Sequence, residues 1–321
     1  MSEIPTNTIL DVGGLDIGHA HDTEVITGVT VILPHIPVTC AVDVRGGGPG
    51  TREICALDDG GLIDQVHGLA LSGGSVYGLS AADAVTHWLG ARRRGYAPGP
   101  APIPVSPIVP AAILFDNANG GDKNWEHPPF FDLGLAACDA SGQDTKTGRV
   151  GAGYGATAGL YKGGLGSASE SLGDITVGAL IAANPVGSPF MPGTETFWAW
   201  PYEQKEEFGN RTPPQNYSYT PARDTKLEFL KAAGQSTVIG AVATNAKLSQ
   251  KQLKRLAIMA QDGIAMAVQP AHTPLDGDTL FALSTGDVPC DTPVQLAEIG
   301  AAAARCVARA LSRGIYKARP K

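Results

Sequence analysis

Charge is scarce in this 321-residue chain: Asp, Glu, Lys and Arg together make up 17% of it. The basic side is the scarcer, with 24 Lys and Arg against 31 Asp and Glu and a formal net charge of −7. That balance argues against a nucleic-acid partner. Arg92-Arg93-Arg94 and the C-terminal Lys317-Ala318-Arg319-Pro320-Lys321 read as solvated helix ends instead. No run of about 18 apolar residues occurs, so no membrane-spanning helix is expected. The N-terminal MSEIPTNTIL lacks a basic region followed by an apolar one, which predicts no secretory leader. Cysteine is confined to Cys40, Cys55, Cys138, Cys290 and Cys306, with no CxxC pair and no metal-ligand spacing. An odd, scattered set predicts buried free thiols in a reducing cytoplasm.

Small residues are abundant. Hydrophobic residues account for 43%, and 41 glycines cluster at Gly46 to Gly50, Gly73-Gly74 and Gly151 to Gly166, which implies tight turns and close backbone approach. Apolar, β-branched runs predict strands at 24–33, 39–44, 68–72, 175–182, 237–244 and 279–284. Helical spacing of apolar residues predicts helices over 75–94, 249–268 and 292–312. Strands alternating with long helices make an α/β protein. Residues 191–223, rich in Pro, Tyr, Trp, Glu and Asn without apolar period, predict a long exposed loop.

Several stretches have the composition of chemical sites. In AAGQSTVIGAVATNAKLS, Thr237 is either a strand-entry residue after a Gly234-Gln235 turn or a nucleophile freed when the chain cuts itself. Asp276-Gly277-Asp278 is either an Asp-Gly turn or, with period two, a pair of carboxylates on one face. Asn184, following an apolar strand and fixed by Pro185, is an ordinary turn residue or an oxyanion donor. The segment GRVGAGYGATAGLYKGGLGSAS lacks the preceding hydrophobic strand of a dinucleotide fingerprint. It reads as a Gly-rich wall with Lys162 as its internal charge or as a solvated loop lysine. The His-x-His of GHAHD has no further ligand set among the other histidines, so no metal is expected. Ser75 in SGGSVYGL lacks the G-x-S-x-G elbow of a nucleophile.

The stretches VDVRGGGPGTRE, LSGGSVYGLSAADAV, PIVPAAILFD, GAGYGATAG, KGGLGSAS, NPVG, VATNAKLS and HTPLDGDTLFALSTG occur in this order over about residues 8–315. As a set they resemble the L-aminopeptidase/D-amidase/D-esterase family, which includes the β-peptidyl aminopeptidases and the nylon-oligomer (6-aminohexanoate-oligomer) hydrolases. The resemblance implies a single four-layer α/β/β/α domain, similar to N-terminal-nucleophile hydrolases but connected differently. It also implies self-cleavage into chains 1–236 and 237–321, a homo-oligomer (often a tetramer) and no cofactor. In the family pattern the nucleophile stands seven residues before the Thr of the VATNA-type motif, here Thr244, which makes it Thr237. Asp276 and Asp278 match the acidic pair, Asn184 the oxyanion Asn, and Phe115 the place of a site-facing Tyr. Lys162 would balance the acidic charge. The chain departs from the pattern at Ser236, where relatives often carry Asn or Gly, and at Phe115, which lacks the hydroxyl. The implied activity is amide hydrolysis of peptide-like amides or 6-aminohexanoate oligomers. An N-terminal aminopeptidase or D-esterase, and an uncleaved non-catalytic homologue, are the alternatives.

Overall fold

A computed structural model of the chain describes residues 5–58, 61–228 and 236–319; the expected Gly234-Gln235 turn lies outside them. In chain order the strands are β1 (Leu15–Asp22), β2 (Thr27–Pro34), β3 (Val38–Val44), β4 (Thr51–Arg52), β5 (Gln65–Val66), β6 (Leu69–Ser72), β7 (Ala111–Ile113), β8 (Thr157–Ala158), β9 (Tyr161–Lys162), β10 (Gly164–Leu172), β11 (Ile175–Asn184), β12 (Thr237–Ala246) and β13 (Thr279–Val288). The α-helices are α1 (Ser80–Ala91), α2 (Phe130–Asp139), α3 (Gln250–Ala267) and α4 (Pro293–Ala318). One sheet has the order β1-β2-β6-β7-β4, the other β10-β11-β12-β13-β3-β5, and β8 with β9 makes a small hairpin.

Alternation along the strands stacks these elements into four layers. On β12, Ile239, Ala241 and Ala243 point into a core shared with Ile32, Leu69 and Leu71 of the five-stranded sheet. Val238 and Val242 point the other way, against Leu253, Leu256 and Ile264 of α3 and Val307 and Leu311 of α4. The outer face of the five-stranded sheet, through Val29, Val31 and Ala70, packs on Val85 and Leu89 of α1 and Phe130 and Ala137 of α2. Three apolar layers therefore separate helix, sheet, sheet and helix, the α/β/β/α sandwich. The ends of α3 and α4 are set by Ser249 and Thr292, whose hydroxyls accept from Gln252 N and Gln295 N while the Gln side chains reach back.

The Pro-, Trp- and Glu-rich loop departs from expectation. It carries no long regular element, but Phe197, Ala199 and Phe208 are buried beside α4, so it is not an exposed loop throughout. Its Glu207 accepts from Arg309 Nε at 2.9 Å, and Arg309, 1% exposed, also donates to Ser169 O (2.8 Å) and Asn7 Oδ1 (2.9 Å). Local polarity misled because the partner guanidinium lies 102 residues away. β1, β10 and α2 were not predicted. β10 reads GLGSASESL, and Gly166 is needed there because a Cβ would strike the Ala310 carbonyl of α4. Of the thiols, Cys40, Cys138, Cys290 and Cys306 are buried, whereas Cys55 is exposed. Among the described residues no helix is long and apolar enough to cross a membrane.

Candidate active site

The N-terminus of β12 meets the C-terminus of β11 at a single cross-strand pair, Asn184 opposite Thr237. Both have the parity of the residues that face the gap between the sheets, and both are buried, Asn184 at 0% and Thr237 at 2% exposure. Ser236, one residue earlier, has the opposite parity. The Asn184 amide is held on both sides. Its Nδ2 donates to the Phe115 carbonyl at 2.9 Å, just past β7, and its Oδ1 accepts from Thr157 N of β8 at 2.9 Å. Phe115 thus enters the site through its backbone, a role that needs no aromatic hydroxyl.

Asp276-Gly277-Asp278 leads into β13, which runs parallel to β12 and is joined to it through α3. The pairing continues one residue past β12, where Ser236 bridges Asp276. Ser236 N donates to Leu275 O at 2.9 Å, and Gly277 N donates to Ser236 O at 2.8 Å. Thr237 Oγ1 donates to the same carbonyl at 2.6 Å. The carbonyl of the Ser236–Thr237 bond therefore carries a fixed N–H donor on one side and the following hydroxyl on the other.

The two carboxylates, each 1% exposed, grip the backbone around this bond. Asp278 Oδ1 accepts from Val238 N (2.8 Å), and its Oδ2 accepts from His272, whose Nδ1 lies 2.7 Å away. Asp276 Oδ1 accepts from Val186 N (3.0 Å), and its Oδ2 accepts from Thr273 N (2.9 Å) and Oγ1 (2.6 Å). One carboxylate thus positions the residue after Thr237, the other the turn after Asn184. Burial first, and then the charge of Asp278, pushes the Asp276 carboxyl above its usual range. Burial alone would push His272 down, but its hydrogen bond to Asp278 and that carboxylate's charge outweigh it and raise the imidazole.

Lys162, expected to balance the acidic pair, is on the exposed β8–β9 hairpin, across from Thr157. The ammonium against the junction belongs to Lys226. Its Nζ lies 3.1 Å from Asn184 O, Asn184 Oδ1 and Ser236 Oγ, and burial pushes it down to about 7, opposed by the charge of Asp276. Lys226 opens a short 3-10 turn (Lys226–Glu228) among other charged residues, Arg223, Asp224 and Glu228, and nothing in its neighbours marks it. His272 and Thr273 do carry a signal: they stand four and three residues before Asp276 in HTPLDGD.

The glycines of VDVRGGGPG run against this turn, with Arg45 N donating to Asp278 O and Gly48 N to Asp276 O at 2.9 and 2.8 Å. A Cβ on Gly277 would lie 2.6 Å from Gly48 O, 2.9 Å from Thr237 Oγ1 and 3.0 Å from Pro49 Cα. Gly277→Ala must displace either the backbone loop or the hydroxyl. We expect a folded chain whose reaction at Thr237 slows by about 100-fold, the scale of an ångström's misplacement. Gly142→Ala, where a Cβ meets nothing within 4 Å, should leave the rate unchanged. Equal rates for the two variants would remove the close packing from the argument.

A family model described as Peptidase family S58 matches residues 7–321. A Mycobacterium tuberculosis (strain ATCC 25618 / H37Rv) protein described as an uncharacterized aminopeptidase is 42% identical over 334 residues, covering 98% of this chain and 95% of its own. The 6-aminohexanoate-oligomer endohydrolase of Agromyces sp. (strain KY5R) is 33% identical over 294 residues, covering 88% and 76%. Among solved structures, the L-aminopeptidase D-Ala-esterase/amidase from Ochrobactrum anthropi superposes with a TM-score of 0.72 at 22% identity, covering 97% of this chain and 86% of that one. That structure is described as a new variant among the Ntn hydrolase fold.

Proposed function

The chain belongs to peptidase family S58 and is an amide hydrolase, and on that premise we propose that Thr237 is its nucleophile, exposed by self-cleavage of the Ser236–Thr237 bond. A single domain spanning 1–321 then becomes chains 1–236 and 237–321. The observation that carries this reading is the Ser236 carbonyl, which takes the Gly277 N–H at 2.8 Å and has Thr237 Oγ1 at 2.6 Å.

In the cut, Thr237 Oγ adds to the Ser236 carbonyl carbon and the Gly277 N–H receives the oxyanion. The C–N bond breaks, the Thr237 nitrogen takes the hydroxyl proton, and water hydrolyses the resulting ester to a Ser236 carboxylate and a free hydroxyl. Turnover repeats the chemistry on a substrate amide. The new α-amine, with an ordinary pKa of about 7.7–8.0, takes the Thr237 hydroxyl proton and returns it to the leaving amine. Asn184 and Gly277 N–H serve the oxyanion, and Asp276 and Asp278 fix the strands that carry the reacting groups. The substrates are peptide-like amides or 6-aminohexanoate oligomers, the classes that the names of the aminopeptidase and oligomer-endohydrolase relatives carry. The working assembly is a homo-oligomer, a tetramer, in the cytoplasm, a compartment that suits five free thiols.

Denaturing gels of the purified protein should resolve two bands, and N-terminal sequencing of the smaller should begin Thr-Val-Ile-Gly. Activity is then compared on peptide amides, β-peptides and 6-aminohexanoate oligomers. A fully active protein that runs as one full-length band would overturn the mechanism.

A further inference from the structure

Lys226 contacts the junction from a part of the chain to which the steps described above assign no role. Its Nζ is 3.1 Å from each of three oxygens, Asn184 O, Asn184 Oδ1 and Ser236 Oγ. An ammonium has three protons and no acceptor, so three acceptors match it one for one. Two consequences follow for the neighbours. Only the oxygen of the Asn184 amide can face an ammonium, which turns Nδ2 the other way, towards the Phe115 carbonyl. The Ser236 side chain, 0% exposed and on the opposite face from the Thr237 hydroxyl, gains a charged partner that holds the acyl half of the bond to β11. The backbone N–H of Lys226 also donates to Val186 O at 3.0 Å, so the lysine is anchored on the turn that Asp276 grips from the other side.

We infer that Lys226 is a positioning residue for self-cleavage: its ammonium ties Ser236 to Asn184 and so sets the carbonyl of the bond against the Thr237 hydroxyl. This rests on the self-cleavage reading above. A neutral amine has two protons for three acceptors, so one of the three contacts is lost or reversed when Lys226 deprotonates. The neighbouring charges are Asp276, which favours the ammonium, and beyond it Asp278 with its partner His272. Asp224, two residues before Lys226, is engaged by Ser188 Oγ at 2.6 Å and by Tyr161.

The test follows the rate of the cut in full-length precursor, from translation or refolding, by denaturing gel. Lys226→Met keeps the aliphatic stem and removes the charge; it should cut about 100-fold more slowly than wild type, by the scale of a lost positioning contact. Lys226→Ala should be equally slow and should recover in proportion to added n-propylammonium, which replaces the four missing atoms, but not with n-propanol. Recovery of this kind distinguishes the ammonium from mere packing, and it decides the matter even where the methionine variant fails to fold. With burial pushing Lys226 down to about 7, the wild-type cut should slow as pH rises through that value. Lys226→Met retains His272 and should lack this limb. Cutting of Lys226→Met at the wild-type rate, or an alanine variant indifferent to propylammonium, overturns the role while the self-cleavage reading stands. A wild-type chain that stays whole overturns both.

Discussion

Replacing Thr237 with alanine is expected to leave a folded, full-length chain that neither cuts nor hydrolyses. The substitution removes one buried hydroxyl and its 2.6 Å contact with Ser236 O. A net hydrogen bond contributes about 0.5–1.5 kcal/mol against a total stability of about 5–15 kcal/mol, so the fold survives. The ladder around it does not depend on the side chain: Asn184 still pairs across from residue 237, and Asp278 still accepts from Val238 N. The chemistry, by contrast, loses its attacking oxygen. Ser236 cannot substitute, because strand alternation turns it to the other face. Thr237→Ser restores the oxygen without the methyl that stiffens χ1, and should retain part of both reactions. Circular dichroism and oligomer size measured beside amidase rate make the comparison. An active alanine variant places the nucleophile elsewhere, and an unfolded one returns Thr237 to the role of a strand-entry residue.

The second large effect is expected from Asp276→Asn and Asp278→Asn. At each aspartate both oxygens face donors: Val186 N and the Thr273 pair in one case, Val238 N and His272 in the other. An amide offers one oxygen and one NH2, so one side of each site becomes donor against donor in a buried place. Leaving such a group unsatisfied costs about 1–3 kcal/mol. Relief comes by moving the backbone on one side or the other, Val186 or Thr273 in one case and Val238 or His272 in the other. Val186 and Val238 each stand within two residues of a proposed reacting group. Self-cleavage and turnover should therefore fall together, by about 100-fold or more. Thermal unfolding recorded on the same samples separates this from loss of fold. If both variants keep full rates, the acidic pair is an Asp-Gly turn and nothing more.

The fold was legible where a strand or helix declares itself by apolar period. β2, β12 and β13 and helices α3 and α4 stand where alternation and capping residues placed them, with α4 extending beyond its predicted end. β10 was not legible, because its small residues are explained only by the helix that lies on them. For the candidate site, order of motifs did what local pattern could not. Asn184 and Thr237 are separated by 53 positions in sequence yet are direct partners in the sheet. The Gly277 N–H was invisible for a simple reason: a backbone donor has no residue type. Lys226 was missed because its significance comes from distant contacts, with Asn184 and Ser236, and a lysine just past a Pro- and Tyr-rich stretch looks solvated.

If the Ser236–Thr237 bond is cut as proposed, the strand order of the larger sheet bears on the protein's life afterwards. β12 and β13 lie side by side in its middle, between β11 on one flank and β3 on the other. Both lie from residue 237 onwards, as do α3 and α4, so the smaller chain would supply the centre and the larger the two borders. Neither piece would hold the six-stranded sheet whole, and Arg309 further joins α4 to Glu207 and Asn7 of the larger chain. Folding happens once, as an event within a single molecule. After the bond is broken, recovery from full unfolding requires two strangers to meet, at a rate that scales with their concentration, while each exposes apolar strands to aggregation. A chain cut in this way would be a structure assembled under a connection it no longer possesses, its lifetime governed by how slowly it opens.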